Sequence, residues 1–466
     1  MSLAIDGLVS GLDTTSLISS LMTIEQQPQT LLKNKVTTTQ SFISSLQTIN
    51  GQIQNLATKA AAASKSTSLN LFTASSSSAA VTATAKASAA AGSVSFTVGS
   101  TAAAQIGVTS AMSAWPANAD ATQQPAITIV GADGTKTAIT PASTSLDDVV
   151  SAINGAKTAG VTAVKVAAGT ASDGTKQYRL QLTSTTTGAA GAVSVYQGTA
   201  DDVDAGTATN VLTAPGAAIV TKGTDASVTL WAGTGAEQVV TSKSNTFADL
   251  LPGLDVTVKS TSSDPVTVSV ARDTSGAAAV ASGLVSQFNA VASYFATATA
   301  VTSSTDSTTG VTSTQSGTLT GDATTRSAMQ QLGTAMSTPV NGRSPSSIGL
   351  SIQKDGTFTF DSDAFQTALA ADPAGVQSML SGIAQNVSDK ASAMSDKYTG
   401  SITTAITGQQ SVVSDLSTQI SDWDTRLAAR KASLQTLYAN LETSLSALKS
   451  QSSWLTSALS GLSTSS

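Results

Sequence analysis

The side chains able to do chemistry in this sequence are few and scattered. Histidine and cysteine are both absent, which removes imidazole and thiolate metal ligands, cysteine nucleophiles and any triad with imidazole as its base. Disulfides are excluded too, so stability must come from burial. Carboxylate and Ser-Lys chemistry survive, but neither has a recognisable constellation. Asp361-Ser362-Asp363 has the look of a calcium loop, yet third and fourth ligands at loop spacing are missing. The same residues read better as the N-cap of a helix carrying Phe365 and Leu369. Asp201, Asp202 and Asp204 form an acidic cluster in Gly/Thr-rich sequence, read here as solvated. Asn386-Val387-Ser388 has the form of a glycosylation sequon but lies in helix-like sequence, and such matches are common by chance. No phosphate-binding glycine loop of the usual spacing occurs. The expectation is a protein that is not an enzyme and uses neither cofactor nor metal.

Charge narrows the field further. Of 466 residues, 23 are Lys or Arg and 29 are Asp or Glu, a charged fraction of 11% and a net charge of −6; ordinary globular proteins carry roughly 25% charged residues. A nucleic-acid partner is not expected, because phosphate binding needs clustered Lys and Arg. The length suggests about three domains. Aromatics are only 4% and the apolar 40% leans on alanine, so each buried residue removes little apolar area from water; thin domains and long helices are expected. The N-terminus lacks a basic region followed by a continuous apolar run, and no stretch approaches the ~18 apolar residues of a membrane span. Neither a cleaved signal nor membrane insertion is expected.

The elements that would position functional residues are strongest at the two ends. Counting by sevens from Ile406 gives Val413, Ile420, Leu427, Leu434, Leu441, Leu448, Leu455 and Leu462, an unbroken apolar position. The companion positions are uneven: Ile402, Leu416, Trp423 and Leu437 are apolar, but Gln409, Arg430, Ser444 and Gln451 are not. No Gly or Pro interrupts Gln409 to Ser460; a helix that long would span about 78 Å and must pack on something else. The N-terminal segment is its natural partner. Leu17, Ile18, Leu21, Met22 and Ile24 share a helical face, Pro28 interrupts, and Phe42, Leu46, Ile49, Ile53 and Leu56 resume the pattern. The tails Met1 to Asp13 and Ser446 to Ser466 hold too little apolar surface to offset ordering entropy and are expected to be mobile in an isolated subunit.

Between about Leu71 and Val270 the period changes to two. Val94, Phe96 and Val98 alternate, as do Tyr178, Leu180 and Leu182, and Val266, Val268 and Val270. A short helix capped by Ser145 is expected to carry Leu146, Val149, Val150 and Ile153. Turns are marked by Gly131 to Gly134, Asp173-Gly174 and Pro252-Gly253. Ala111 to Gln124 and Ala205 to Ala218 read as crossings into and out of a nested β domain. Helical period returns after Arg272 with Val280, Leu284, Phe288, Val291 and Phe295, followed by a Ser/Thr/Gly loop from Thr302 to Gly317. A hairpin then pairs Leu350 and Ile352 with Phe358 and Phe360 around Asp355-Gly356.

The expected fold class is α+β and multidomain: a discontinuous helical coiled-coil or bundle leg formed by both chain ends, carrying two nested β-rich head domains. Residues 1–40 and 431–466 form the terminal helical region, and 41–70 with 271–430 the helical leg with its small hairpin. Residues 71–112 with 221–270 form the inner head domain, and 113–220 the outer one. The candidate assembly residues are Leu17, Ile18, Leu21, Leu46, Ile53, Ile420, Leu427, Leu434, Leu441, Leu448 and Leu455.

Several segments resemble one family, the flagellar filament cap proteins, also called flagellar hook-associated protein 2. SGLDTTSLISSLMTIEQQP at Ser10 to Pro28 is similar to that family's opening, and Asn245 to Asn289 to its strand-to-helix passage. LTGDATTR (Leu319 to Arg326), IGLSIQKDGTFTFD (Ile348 to Asp361) and LAADPAGVQSML (Leu369 to Leu380) resemble the motifs that follow, in the same order, and RLAARKASLQTLYANLETSLSALKSQSSWL resembles the closing helix. Ser145 to Val195, within 113–220, resembles the small insertion module shared by flagellins and caps. The resemblance implies a homo-oligomeric ring at the distal tip of a bacterial flagellum that retains exported flagellin and promotes its folding and polymerisation. It implies flagellin and the hook-filament junction proteins as partners, an export chaperone on the C-terminal helix, and export through the flagellar secretion channel to an extracellular site. The alternatives are a surface adhesin acting through the β-rich head, or flagellin or a junction protein; the order of the Leu319 to Leu380 motifs speaks against flagellin.

Overall fold

The computed structural model describes residues 11, 13–117 and 124–463. It divides into two compact units, Met1–Leu69 with Ala278–Ser466, and Asn70–Ala277.

The helical unit starts with α1 (Thr14–Glu25), whose N-cap Asp13 accepts a hydrogen bond from the Ser16 N–H at 2.8 Å. The helix breaks at Gln26, two residues before Pro28, and α2 (Gln27–Ala63) follows with the proline in its first turn, where its missing N–H costs nothing. Leu46, Ile49, Ile53 and Leu56 recur at helical spacing along α2 and are fully buried.

The β unit contains two cores. Strands β1 (Phe72–Ser76), β2 (Val81–Ala85) and β3 (Gly92–Ser100) begin the first, and β4 (Ala104–Val108) opens the second. The second continues with β5 (Ile127–Gly131), β6 (Lys136–Ile139), α3 (Leu146–Gly155), β7 (Val161–Thr170), β8 (Lys176–Thr187), β9 (Val193–Gln197), α4 (Ala200–Asp204), β10 (Thr209–Asn210) and β11 (Ala218–Thr221). The chain returns to the first core through β12 (Ala226–Leu230), β13 (Gln238–Ser242), β14 (Thr246–Leu251), β15 (Leu254–Val258) and β16 (Ser262–Arg272).

In the first core a five-stranded sheet, β1-β16-β3-β12-β13, and a three-stranded sheet, β14-β15-β2, bury Phe96, Val98, Val228, Val256, Val266 and Val268 together. Alternation supplies this face: β16 and β3 pair antiparallel with Val266 opposite Phe96 and Val268 opposite Val94. In the second core the sheets β11-β4-β8-β7 and β10-β9-β5-β6 enclose α3 residues Val149 and Ile153 with Trp115, Ile127, Leu180 and Val195. As expected, the Ser145 hydroxyl caps α3, accepting from the Asp147 N–H.

The passage between the cores lies nine residues before the expected boundary at 113. Strand β4 pairs with β8 and β11, and an isolated bridge joins Ala103 to Thr224. Five residues, AQIGV, are too short for alternation alone to assign them to a sheet. The segments expected as crossings are themselves packed: Trp115 is buried, Met112 bridges to Tyr178, and Val211 and Leu212 are core residues. Residues 118–123 of the first segment lie outside the described residues. Just after β8 the chain comes close to Asp225 and Lys243 at Gly188, whose φ is 91° and where a Cβ would meet the Asp225 carboxylate at 2.7 Å and the Lys243 carbonyl at 2.8 Å.

The helical unit resumes with α5 (Thr274–Thr299), whose Leu284, Phe288 and Val291 are buried. The expected loop after it is instead a hairpin, β17 (Val301–Thr305) and β18 (Thr312–Ser316), with every strand residue exposed. Then come α6 (Ala323–Ser337), β19 (Leu350–Ile352), β20 (Phe358–Phe360), α7 (Ser362–Ala371), α8 (Pro373–Ser395) and α9 (Ser401–Ser463). Phe358 packs edge-on against Phe288, ring centroids 5.0 Å apart, and the Asn289 amide bonds both the N–H and C=O of Phe358. Helix α2 packs against α8 and α9, and α6 and α7 pack against α8.

Candidate assembly surface

The acidic residues that opened the chemical reading are used locally. Asp361 caps α7, accepting from the N–H groups of Asp363 and Ala364. Asp202 and Thr199 close a capping box on α4, and Asp204 pairs with Lys136. Asn386 sits within α8, beside buried Val387 and Ser388. Among the described residues no group of three or more His, Cys, Asp or Glu could hold a metal ion, and no helix is long and apolar enough to cross a membrane.

The candidate assembly residues fall into three sets. Leu46 and Ile53 lie on α2 with no exposed surface, inside the helical core. Ile18, Leu427 and Leu434 form a separate small cluster with Met22, against which Leu21, Trp423 and Tyr438 pack half-buried. Ile420 is half-buried about two turns before Leu427. The contact between α1 and α9 is antiparallel, and polar groups flank it. Gln29, only 5% exposed, donates to Asp424 Oδ1 at 2.6 Å and to the Ile420 carbonyl at 3.4 Å. Arg430, counted in the sequence as a flaw in the seam, reaches Glu25 at 3.4 Å; both side chains are about half-exposed, so the pair is worth little.

The third set is not covered. Leu17 lies 42% exposed on α1, and Leu441 43% exposed on α9, while Leu448 and Leu455 are more than half exposed. Leu437, Trp454 and Leu459 are exposed as well. The strict heptad loses the buried face beyond Leu434, where Tyr438, Glu442, Leu445 and Ser446 turn inward. A straight helix drifts about 20° per heptad relative to a 3.5-residue repeat, and one heptad past Leu434 the buried side has passed from the counted position to Tyr438 and Glu442. Glu442 is buried at 6% exposure. The C-terminal stretch expected to be mobile is helical as far as Ser463; Met1 to Ser10, Leu12 and residues 464–466 lie outside the described residues, as does the Leu462 side chain.

Sequence reasoning missed Gln29, Glu25 and Tyr438. Tyr438 was findable at four residues from Leu434. Gln29 was not, because a polar residue in an amphipathic helix signals solvent until its partner is known.

Family models match the chain in three places: the N-terminal model of flagellar hook-associated protein 2 at residues 10–105, the flagellin hook IN motif at 126–186, and the C-terminal model of flagellar hook-associated protein 2 at 223–450. No curated protein matches the sequence. The crystal structure of the flagellar cap protein FliD D1-D2-D3 domains from Escherichia coli is similar with a TM-score of 0.62 at 24% identity, covering 78% of this chain and 99% of that one, which is a likeness of fold. FliD (HAP2) from Pseudomonas aeruginosa matches at 26% identity and a TM-score of 0.35, over 48% of this chain and 99% of that one. The FliD D2-D3 domains from Serratia marcescens match at 26% and 0.32, over 40% and 97%. The two hook-associated models take in most of the helical ends and the strands of the first β core, the IN motif falls on the second core between them, and the chain belongs to the flagellar hook-associated protein 2 family.

Proposed function

We propose that this chain caps the distal tip of the bacterial flagellar filament, where it retains exported flagellin and promotes its folding and polymerisation. The observation that carries this reading is the ordered match of both hook-associated models and the IN motif along one chain. The protein is a structural subunit of an oligomeric cap that works on flagellin outside the cell, having left through the flagellar export route.

The finer assignments rest on the distribution of apolar surface. The buried set, Leu46 and Ile53, holds the leg together, and the cluster of Ile18, Leu427 and Leu434 ties α1 to α9. Leu17, Leu441, Leu448 and Leu455 are the residues offered to neighbours, because an apolar helical stripe left in water is favourable only when something covers it. An export chaperone covers the stripe before secretion, and neighbouring subunits, flagellin or the hook-filament junction proteins cover it afterwards. Immunogold labelling of growing filaments tests the placement: label confined to one distal end supports the cap, and label along the shaft or only at the cell body rejects it.

A further inference from the structure

The β unit exposes two uncharged strand edges that match each other. Strand β13 ends the five-stranded sheet and β11 ends one four-stranded sheet. Such edges pair with other chains unless charges, prolines or bulges blunt them. Neither Gln238–Ser242 nor Ala218–Thr221 contains a charge or a proline, and the exposed apolar residues on them are Val239, 58% exposed, and Ile219 and Val220, the latter 66% exposed. Strand β11 is bulged at Val220, where its register on β4 shifts; with no charge or proline beside it, this single bulge blunts the edge only in part.

Beside β13 lies a cleft of about 350 Å³ lined by Leu230, Val240, Phe247 and Leu250. It opens between the edge strands of the two sheets, β13 and β14. Asp249 in its wall and Trp231 next to Leu230 both have positive φ, 56° and 51°, which is common for aspartate in turns and uncommon for a bulky tryptophan. Trp231 is itself half-exposed.

We propose that β11 of one copy of this chain adds as an antiparallel strand to β13 of the next copy. Charge sets the direction. Glu237 precedes β13 and Lys243 follows it, while Lys222 follows β11. Antiparallel addition brings Lys222 opposite Glu237; parallel addition would bring it towards Lys243. With Lys222 opposite Glu237, Val220 lies opposite Val239 and Ile219 opposite Val240, so the exposed valines of the two edges cover one another and Ile219 comes beside the cleft. The pairing is heterologous: each copy offers one edge and receives another, the arrangement that generates a ring when the rotation closes. This rests on the reading of the chain as an oligomeric cap and names the contact that builds the oligomer.

The absence of cysteine makes a clean test. Directly opposed antiparallel residues have Cα atoms about 4.5 to 5.5 Å apart, within the range of about 4.4 to 6.8 Å that a disulfide spans. Full-length Val220→Cys and Val239→Cys proteins are prepared separately, checked by circular dichroism, mixed and oxidised, with wild-type assembly followed by light scattering. The expected result is a disulfide dimer from the mixture and none from either variant alone. If the wild type assembles but the mixture does not cross-link, or each variant cross-links with itself, the strand pairing is wrong and the cap reading stands. If the wild type does not assemble at any concentration, both fail together. As a second arm, Lys222→Glu or Glu237→Lys alone weakens association roughly two- to five-fold, and the two together in one chain restore it; a double variant no stronger than either single one overturns the register.

Discussion

Replacing Ile18 by alanine isolates the docking of α1 on α9. Ile18 is 7% exposed and belongs, among the described residues, to a cluster of four buried side chains, with Met22, Leu427 and Leu434. The substitution removes three carbons, and at about 0.8 kcal/mol for each buried methylene the loss is about 2.4 kcal/mol. The cavity term adds little, since the site lies near the surface and can collapse. Helix α1 has 12 residues, too short to persist in water once undocked, so its amides exchange whenever the cluster opens. At tenfold per 1.4 kcal/mol the opening population rises roughly fifty-fold. Hydrogen exchange followed by mass spectrometry should therefore show faster exchange across Thr14–Glu25, with the amides around Ile49 to Leu56 unchanged. Unchanged exchange in α1, or equal acceleration in the middle of α2, would refute the assignment of α1 as a separately docked element.

Gly408 lies inside α9, where an added Cβ meets nothing within 4 Å, so Gly408→Ala should stabilise the helical unit by about 0.5 to 1 kcal/mol, read as a higher urea midpoint. Asp361→Ala removes the cap of α7 and its two accepted N–H bonds, and should lower stability by about 0.5 to 2 kcal/mol in the same measurement. Asp396 accepts from the backbone N–H of Thr399, the N–H of Tyr398 and the Thr399 hydroxyl, which hold its carboxyl below the usual 3.8. A carboxyl with a depressed folded pKa contributes stability that is present above the unfolded value and lost as pH falls through the folded one. Thermal stability should thus fall below about pH 4, and Asp396→Ala should flatten that part of the profile while leaving the trend above pH 5 unchanged.

What could be read from the sequence follows the contrast between apolar and polar positions. Leu46, Ile49, Ile53 and Leu56 stand among polar neighbours, and their helical spacing locates the buried face of α2 directly. The same contrast assigns β3, β8 and β16, and the Ser145 and Asp361 caps, where a single side chain closes a local hydrogen bond. It fails for Val301 to Ser316, a Ser/Thr run whose strand residues are all exposed, so their alternation carries no signal. There the hairpin depends on a turn in which Asp306 accepts from the Thr308 and Thr309 N–H groups and Gly310 takes a positive φ. For the assembly surface, the leucine repeat identified α9 as the element, but Leu441 shares its spacing with Leu434 and not its burial. Seven-residue counting hides the rotation that only a helix of real pitch and a partner of finite length expose.

The central claim is tested most directly by adding the purified protein to a bacterial strain that lacks its own filament cap and secretes monomeric flagellin. The account predicts filament growth from the hooks with a matching fall in free flagellin, and loss of that growth when the chain is cut after Arg430 so that Leu434, Leu441, Leu448 and Leu455 are removed. Continued loss of monomeric flagellin to the medium in the presence of folded, assembled full-length protein would contradict it.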